Sequence, residues 1–135
     1  MDAKRFFTDI KLVPVVTLEH HENAVDLALC LRDAGIRAIE VTLRTEAALK
    51  AIELIADAVP DISVGAGSVR STEQITAIRE RGAKFAVSPG HSRSLFSQIK
   101  GVGMPFGGKN QLQGCGLTQF ELSEHNIPLG HHMIT

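Results

Sequence analysis

Short apolar runs alternate along the first hundred residues with stretches whose apolar positions recur every three to four residues. Lys11–Leu18 is nearly continuous in apolar residues, the pattern of a parallel strand buried on both faces, although Pro14 argues against a central position. Val25, Ala28, Leu29 and Leu31 then form a helical stripe that stops at Gly35. Ala38–Thr45 reads as the second strand. Thr45 is the predicted N-cap of the next helix, with Glu46 in its first turn, Ile52, Ile55, Ala56 and Val59 on its buried face, and Pro60 as its stop. Asp61–Val69 is the third strand, and Ser71–Gln74 matches a capping box that opens a helix carrying Ile75 and Ile78 and closing at Gly82. Ala83–Gly90 is the fourth strand and its exit. Ser92 is placed to cap a helix with Leu95, Phe96 and Ile99, ended by Gly101 and Gly103, and Met104–Phe106 begins a fifth strand.

A β-α unit repeated in this way implies a parallel sheet, either open and doubly wound or closing as a (β/α) barrel. Both architectures place ligands at the C-terminal ends of the strands. The polar and glycine-rich stretches fall there: Glu40–Thr45, Gly65–Ser68 and Ser88–Gly90. After Phe106 neither period persists, and glutamine, glycine and histidine rise. Residues 1–106 therefore read as one unit, and residues 107–135 as an irregular, disordered or ill-packed tail.

The second strand carries the chemistry. Ile39, Val41 and Leu43 share one face, and Glu40, Thr42 and Arg44 the other. Arg44 suits a two-pronged contact with a carboxylate, and Glu40 lies deeper, where it could move protons. A buried Glu–Arg ion pair, or an edge strand with a wet face, would give the same pattern.

Composition narrows the class. Hydrophobic residues make up 44% and charged residues 21% of the 135, as in ordinary globular domains. A net charge of -1 offers nothing to nucleic acid or an anionic membrane, and no apolar run approaches a membrane span. The first eight residues lack a secretory signal's apolar segment, and the two cysteines make no disulfide framework, so a reducing cytoplasm is expected. Cys30 reads as a small core residue.

Four motifs, Val13-Pro-Val15, Glu40-Val-Thr-Leu-Arg-Thr45, Val64-Gly-Ala-Gly-Ser-Val69 and Phe85-Ala-Val-Ser-Pro-Gly90, resemble the 2-keto-3-deoxy-6-phosphogluconate and 4-hydroxy-2-oxoglutarate aldolase family over about residues 10 to 106. The resemblance implies a (β/α)8 barrel, present here as four β-α units plus the start of a fifth strand. It also implies a homotrimer and class I chemistry. A lysine forms a Schiff base with the keto group of the phosphorylated keto-deoxy sugar acid, and cleavage gives pyruvate and glyceraldehyde 3-phosphate without a cofactor or metal. Carried over by position, Glu40 is the general acid/base, Arg44 binds the substrate carboxylate, Ser68 stands where the family has threonine, and Pro89 forms part of the pocket wall.

The family's Schiff-base lysine lies in a Lys-Phe-Phe-Pro context, which this chain does not contain. None of Lys4, Lys11, Lys50, Lys84, Lys100 and Lys109 matches it. The expectation is the N-terminal half of a class I aldolase, truncated, followed by an unrelated tail and inactive alone. The alternative is a non-catalytic half-barrel that binds a small carboxylate or self-associates through an unpaired sheet edge. A metal site from His20, His21, His125, His131, His132 and Cys115 is weaker, because no pair has ligand spacing along a helix.

Overall fold

The computed structural model describes residues 6–89, 93–100, 103–108, 113 and 116–123. Strands and helices alternate: β1 (Leu12–Thr17), α1 (Ala24–Asp33), β2 (Ala38–Thr42), α2 (Ala48–Ala58), β3 (Ser63–Gly67), α3 (Thr72–Glu80), β4 (Ala86–Ser88), α4 (Arg93–Lys100), β5 (Phe106–Gly108) and β6 (Thr118–Ser123). The strands form one six-stranded sheet in the order β5-β4-β3-β2-β1-β6. Every neighbouring pair is parallel. This is the α/β arrangement expected of a partial barrel.

Period-2 alternation divides the core between the two faces of the sheet. Val16, Ile39, Val41, Val64, Ala66 and Ala86 face the helices and pack with Leu27, Ile52, Ile55 and Ile78. Burying each of these larger aliphatic side chains contributes roughly 1.5–3 kcal/mol. On the other face, Val13, Ala38, Phe85 and Val87 form a second cluster with Phe7 and Leu117. Phe6 and Phe7 pack on Phe85 at ring-centroid distances of 5.5 and 5.1 Å. Phe85 fits there because Gly65 of the neighbouring strand has no side chain. A Cβ at Gly65 would lie 2.5 Å from the ring.

The glycine stops act as expected. After α1, Gly35 takes φ +96°, its N–H bonds Arg32 O, and Ile36 N–H bonds Leu31 O. After α3, Gly82 takes φ +95°, with matching bonds from Gly82 to Arg79 O and from Ala83 to Ile78 O. Both are Schellman closures. Ser71 caps α3 by accepting from Gln74 N–H at 3.2 Å. Gln74 Oε1 reaches back to Arg70 N–H at 2.6 Å, one residue before the position that a capping box uses.

Several expectations need correction. Thr45 does not cap α2, because that helix begins at Ala48 with Ala47 as its N-cap and no side-chain bond. The Thr45 hydroxyl instead donates to Leu18 O at 2.6 Å and ties the β2 exit to the β1 exit. Pro14 lies in a strand flanked on both sides, by β2 and β6. The registered pairs with β2 are Val15 and Val16, just past the missing N–H of Pro14. Strand β4 is also shorter than the stretch assigned from sequence. Within 107–135, Thr118–Ser123 is a regular strand pairing with β1 from Leu12↔Thr118 to Thr17↔Ser123, and Leu117 is buried. Gly90, Ser92 and Gly101, and the side chain of Ile99, lie outside the described residues. No helix among the described residues is long and apolar enough to cross a membrane.

Candidate active site

The inner face of the sheet changes character along the strands. At the strand starts it carries Val13, Ala38 and Phe85. One pleat repeat onward it carries Val15, Glu40 and Val87, and beyond them Thr42. The polar layer therefore lies at the C-terminal ends of the strands, over an apolar floor. A pocket of about 240 Å³ opens there, lined by Val15, Glu40, Thr42, Arg44, Ser68, Val87, Ser88, Pro89, Gln119 and Glu121.

Glu40, Arg44, Ser68 and Pro89, the four site residues expected from sequence, all line this one pocket. Glu40 sits mid-strand on β2, only 4% exposed. A buried carboxylate needs donors, and Gln119 Nε2 donates to Glu40 Oε1. Gly67 makes room for the Glu40 side chain, since a Cβ there would lie 2.8 Å from Glu40 Cδ and closer still to Oε2. Thr42 is buried and shares a 3.0 Å hydrogen bond with Thr17 across β1 and β2.

Arg44 lies beyond the end of β2, in the turn before α2, and is exposed. Among the described residues it forms no ion pair. The Glu40–Arg44 pair allowed by the sequence pattern is therefore not formed, and the guanidinium is open at the pocket mouth. Ser68, directly after β3, is the one described non-glycine residue with positive φ, at 60°. For an L-residue that conformation costs roughly 1–2 kcal/mol. Such outliers cluster at ligand sites, because the surrounding fold must hold them in place. Pro89 follows β4 at the pocket rim.

Ser88, buried at the end of β4, and Gln119 and Glu121 on β6 complete the lining. Sequence reasoning missed the two β6 residues. Their signal was the alternation Gln119-Phe120-Glu121-Leu122, which puts both polar side chains on one face. Lys84 lines a different hollow, between α2 and α3, with Glu53 and Asp57. No lysine is among the described residues lining the Glu40 pocket. Of the histidines and Cys115 weighed for a metal, only His20 and His21 lie within the described residues.

The family model for KDPG and KHG aldolases matches residues 4–107. This chain belongs to that family. It is 44% identical over 93 residues to the 2-dehydro-3-deoxy-phosphogluconate aldolase of Dickeya dadantii, a match covering 69% of this chain and 44% of that one. Identity and coverage are the same for the KHG/KDPG aldolase of Escherichia coli K12. The chain thus spans a little under half the length of the curated relatives it matches. The crystal structure of the KDPG aldolase of Legionella pneumophila, with pyruvate captured as a covalent carbinolamine, superposes with a TM-score of 0.74 at 36% identity. That superposition covers 78% of this chain and 52% of the Legionella chain. The Zymomonas mobilis aldolase superposes with a TM-score of 0.75 at 28% identity, over 89% of this chain and 61% of that one. These aldolases confirm the α/β barrel architecture read from the sequence.

Proposed function

We propose that the Glu40 pocket binds a small 2-keto carboxylate, pyruvate or the phosphorylated keto-deoxy sugar acid. Arg44 pairs its guanidinium with the carboxylate through two parallel hydrogen bonds. The Ser68 hydroxyl lies beside that carboxylate, and Pro89 bounds the pocket. Glu40 transfers protons at the carbon next to the keto group, from a buried position where a carboxylate is poorly hydrated. The observation carrying this reading is the convergence on one pocket of Glu40 from within β2 and of Arg44, Ser68 and Pro89 from the exits of β2, β3 and β4. The family's reaction, aldol cleavage to pyruvate and glyceraldehyde 3-phosphate, fits the same layout.

That reaction runs through an iminium on a lysine, which draws electrons from the breaking carbon–carbon bond. With no lysine among the described residues lining the pocket, Glu40 and Arg44 orient a keto acid and leave bond cleavage uncatalysed. The 135-residue chain is thus a keto-acid binder without turnover. Residues 1–106 are its aldolase unit, and 107–135 a segment foreign to the family. A cytoplasmic homo-oligomer, a trimer as in the family, accompanies this reading.

The test is pyruvate with borohydride followed by mass spectrometry, beside a coupled assay for pyruvate release. The expected result is an unmodified chain and no turnover. A stable adduct on any lysine together with turnover would overturn the assignment. The second reading, a self-associating half-barrel, is favoured by the two sheet edges at β5 and β6. Sedimentation over a concentration series measures it.

A further inference from the structure

Gln119 reaches Glu40 across an intervening strand. Strand β1 lies between β2 and β6, with Val15 in register with Glu40 on one side and Glu121 on the other. Gln119, one pleat repeat deeper than Glu121, is in register with Val13. Valine side chains at 13 and 15 are short enough for a glutamine and a glutamate to meet over them on the inner face. The resulting hydrogen bond joins residues 79 positions apart.

A carboxylate only accepts hydrogen bonds, so Glu40 fixes the orientation of the amide: the nitrogen faces Glu40 and the oxygen faces away. That oxygen, Gln119 Oε1, is buried and has no donor among the described residues. Keeping that oxygen buried without a donor is unfavourable, so the amide stays where it is because of its bond to Glu40. We propose that Gln119 is a positioning residue for Glu40, holding the carboxylate in place on the inner face of the sheet. The proposal rests on the keto-acid reading for the task of Glu40, but the Glu40–Gln119 contact is testable without any ligand.

A hydrogen bond donated to a carboxylate stabilises the charged form, so its loss raises the carboxyl titration midpoint. Among the described residues, the other charged side chains lining the pocket are Arg44 and Glu121, and both stay in place in a Gln119→Met chain. Methionine keeps the length and removes donor and acceptor. Carbon-detected NMR of the full chain should show the Glu40 midpoint about half a unit or more higher in Gln119→Met.

An unmoved midpoint would overturn the proposal. If the variant does not fold, the unmodified chain suffices. There the Gln119 side-chain amide resonances should titrate with the Glu40 midpoint, and amide resonances that ignore it would refute the contact. If pyruvate does not bind the unmodified chain, the keto-acid reading falls, whereas a titrating amide keeps the Glu40–Gln119 contact.

Discussion

Gly67→Ala probes how tightly the fold holds the Glu40 carboxylate. The new methyl would stand 2.8 Å from Glu40 Cδ and 2.9 Å from Cγ. Carbon atoms in contact prefer about 3.5–4.0 Å, so the carboxylate must retreat by roughly 1 Å. It has little room to do so, being 4% exposed and bonded to Gln119. Overpacking of this kind costs about 1–3 kcal/mol. The backbone φ at Gly67 is not positive, so alanine also narrows the unfolded ensemble and returns about 0.4–1 kcal/mol. The net expectation is a loss of about 1–2 kcal/mol in urea unfolding. In a Glu40→Ala background the obstacle is gone, and the same substitution should be neutral or stabilising by about 0.4–1 kcal/mol. The cycle therefore predicts a coupling of about 2 kcal/mol. Equal effects in the two backgrounds, within about 0.5 kcal/mol, would show that Glu40 does not occupy the space above Gly67.

Arg44→Lys should weaken pyruvate binding about tenfold by calorimetry, because an ammonium cannot reproduce the paired contact of the guanidinium. Ser68→Gly should raise unfolding stability by about 1 kcal/mol, since glycine adopts φ 60° freely, and at the same time weaken pyruvate binding through loss of the hydroxyl. Stability that falls instead would mean that the serine side chain holds the turn together. The Glu53 carboxyl is held below its usual range by a hydrogen bond and charge from Lys50, so Lys50→Met should raise its NMR titration midpoint. Because the folded value is lowered, this pair's contribution is present above the unfolded carboxyl range and fades as pH falls through the folded value. It is an exposed pair, so the midpoint rather than the melting temperature is the readout.

Much of the fold was legible because each element announces itself locally. The change from short apolar or alternating runs to a three-to-four spacing marks every β-α junction through α3, and Gly35 and Gly82 mark helix ends by a conformation other residues rarely adopt. The face shared by Glu40, Thr42 and Arg44 pointed to the pocket by the same rule, although Arg44 lies in the turn rather than on the strand. Thr45 shows where local rules fail. A hydroxyl three residues before a helix has competing acceptors, and here a carbonyl from another strand takes it. Strand β6 shows the larger gap. Its alternation is present, but a glycine- and glutamine-rich stretch precedes it, and nothing local tells a strand which edge it will join. Pairing with β1 brings Gln119 to Glu40, a contact that only the assembled sheet defines.

That one pocket at the strand ends holds a keto acid between Arg44 and Glu40 is tested by a pyruvate titration of the isotope-labelled full chain followed by NMR. Saturable shifts are expected at Glu40, Thr42, Arg44, Ser68, Ser88 and Gln119, and are expected to be largely lost in Arg44→Lys. Shifts centred on the hollow around Glu53, Arg81 and Lys84, or no saturable shifts at all, would contradict it.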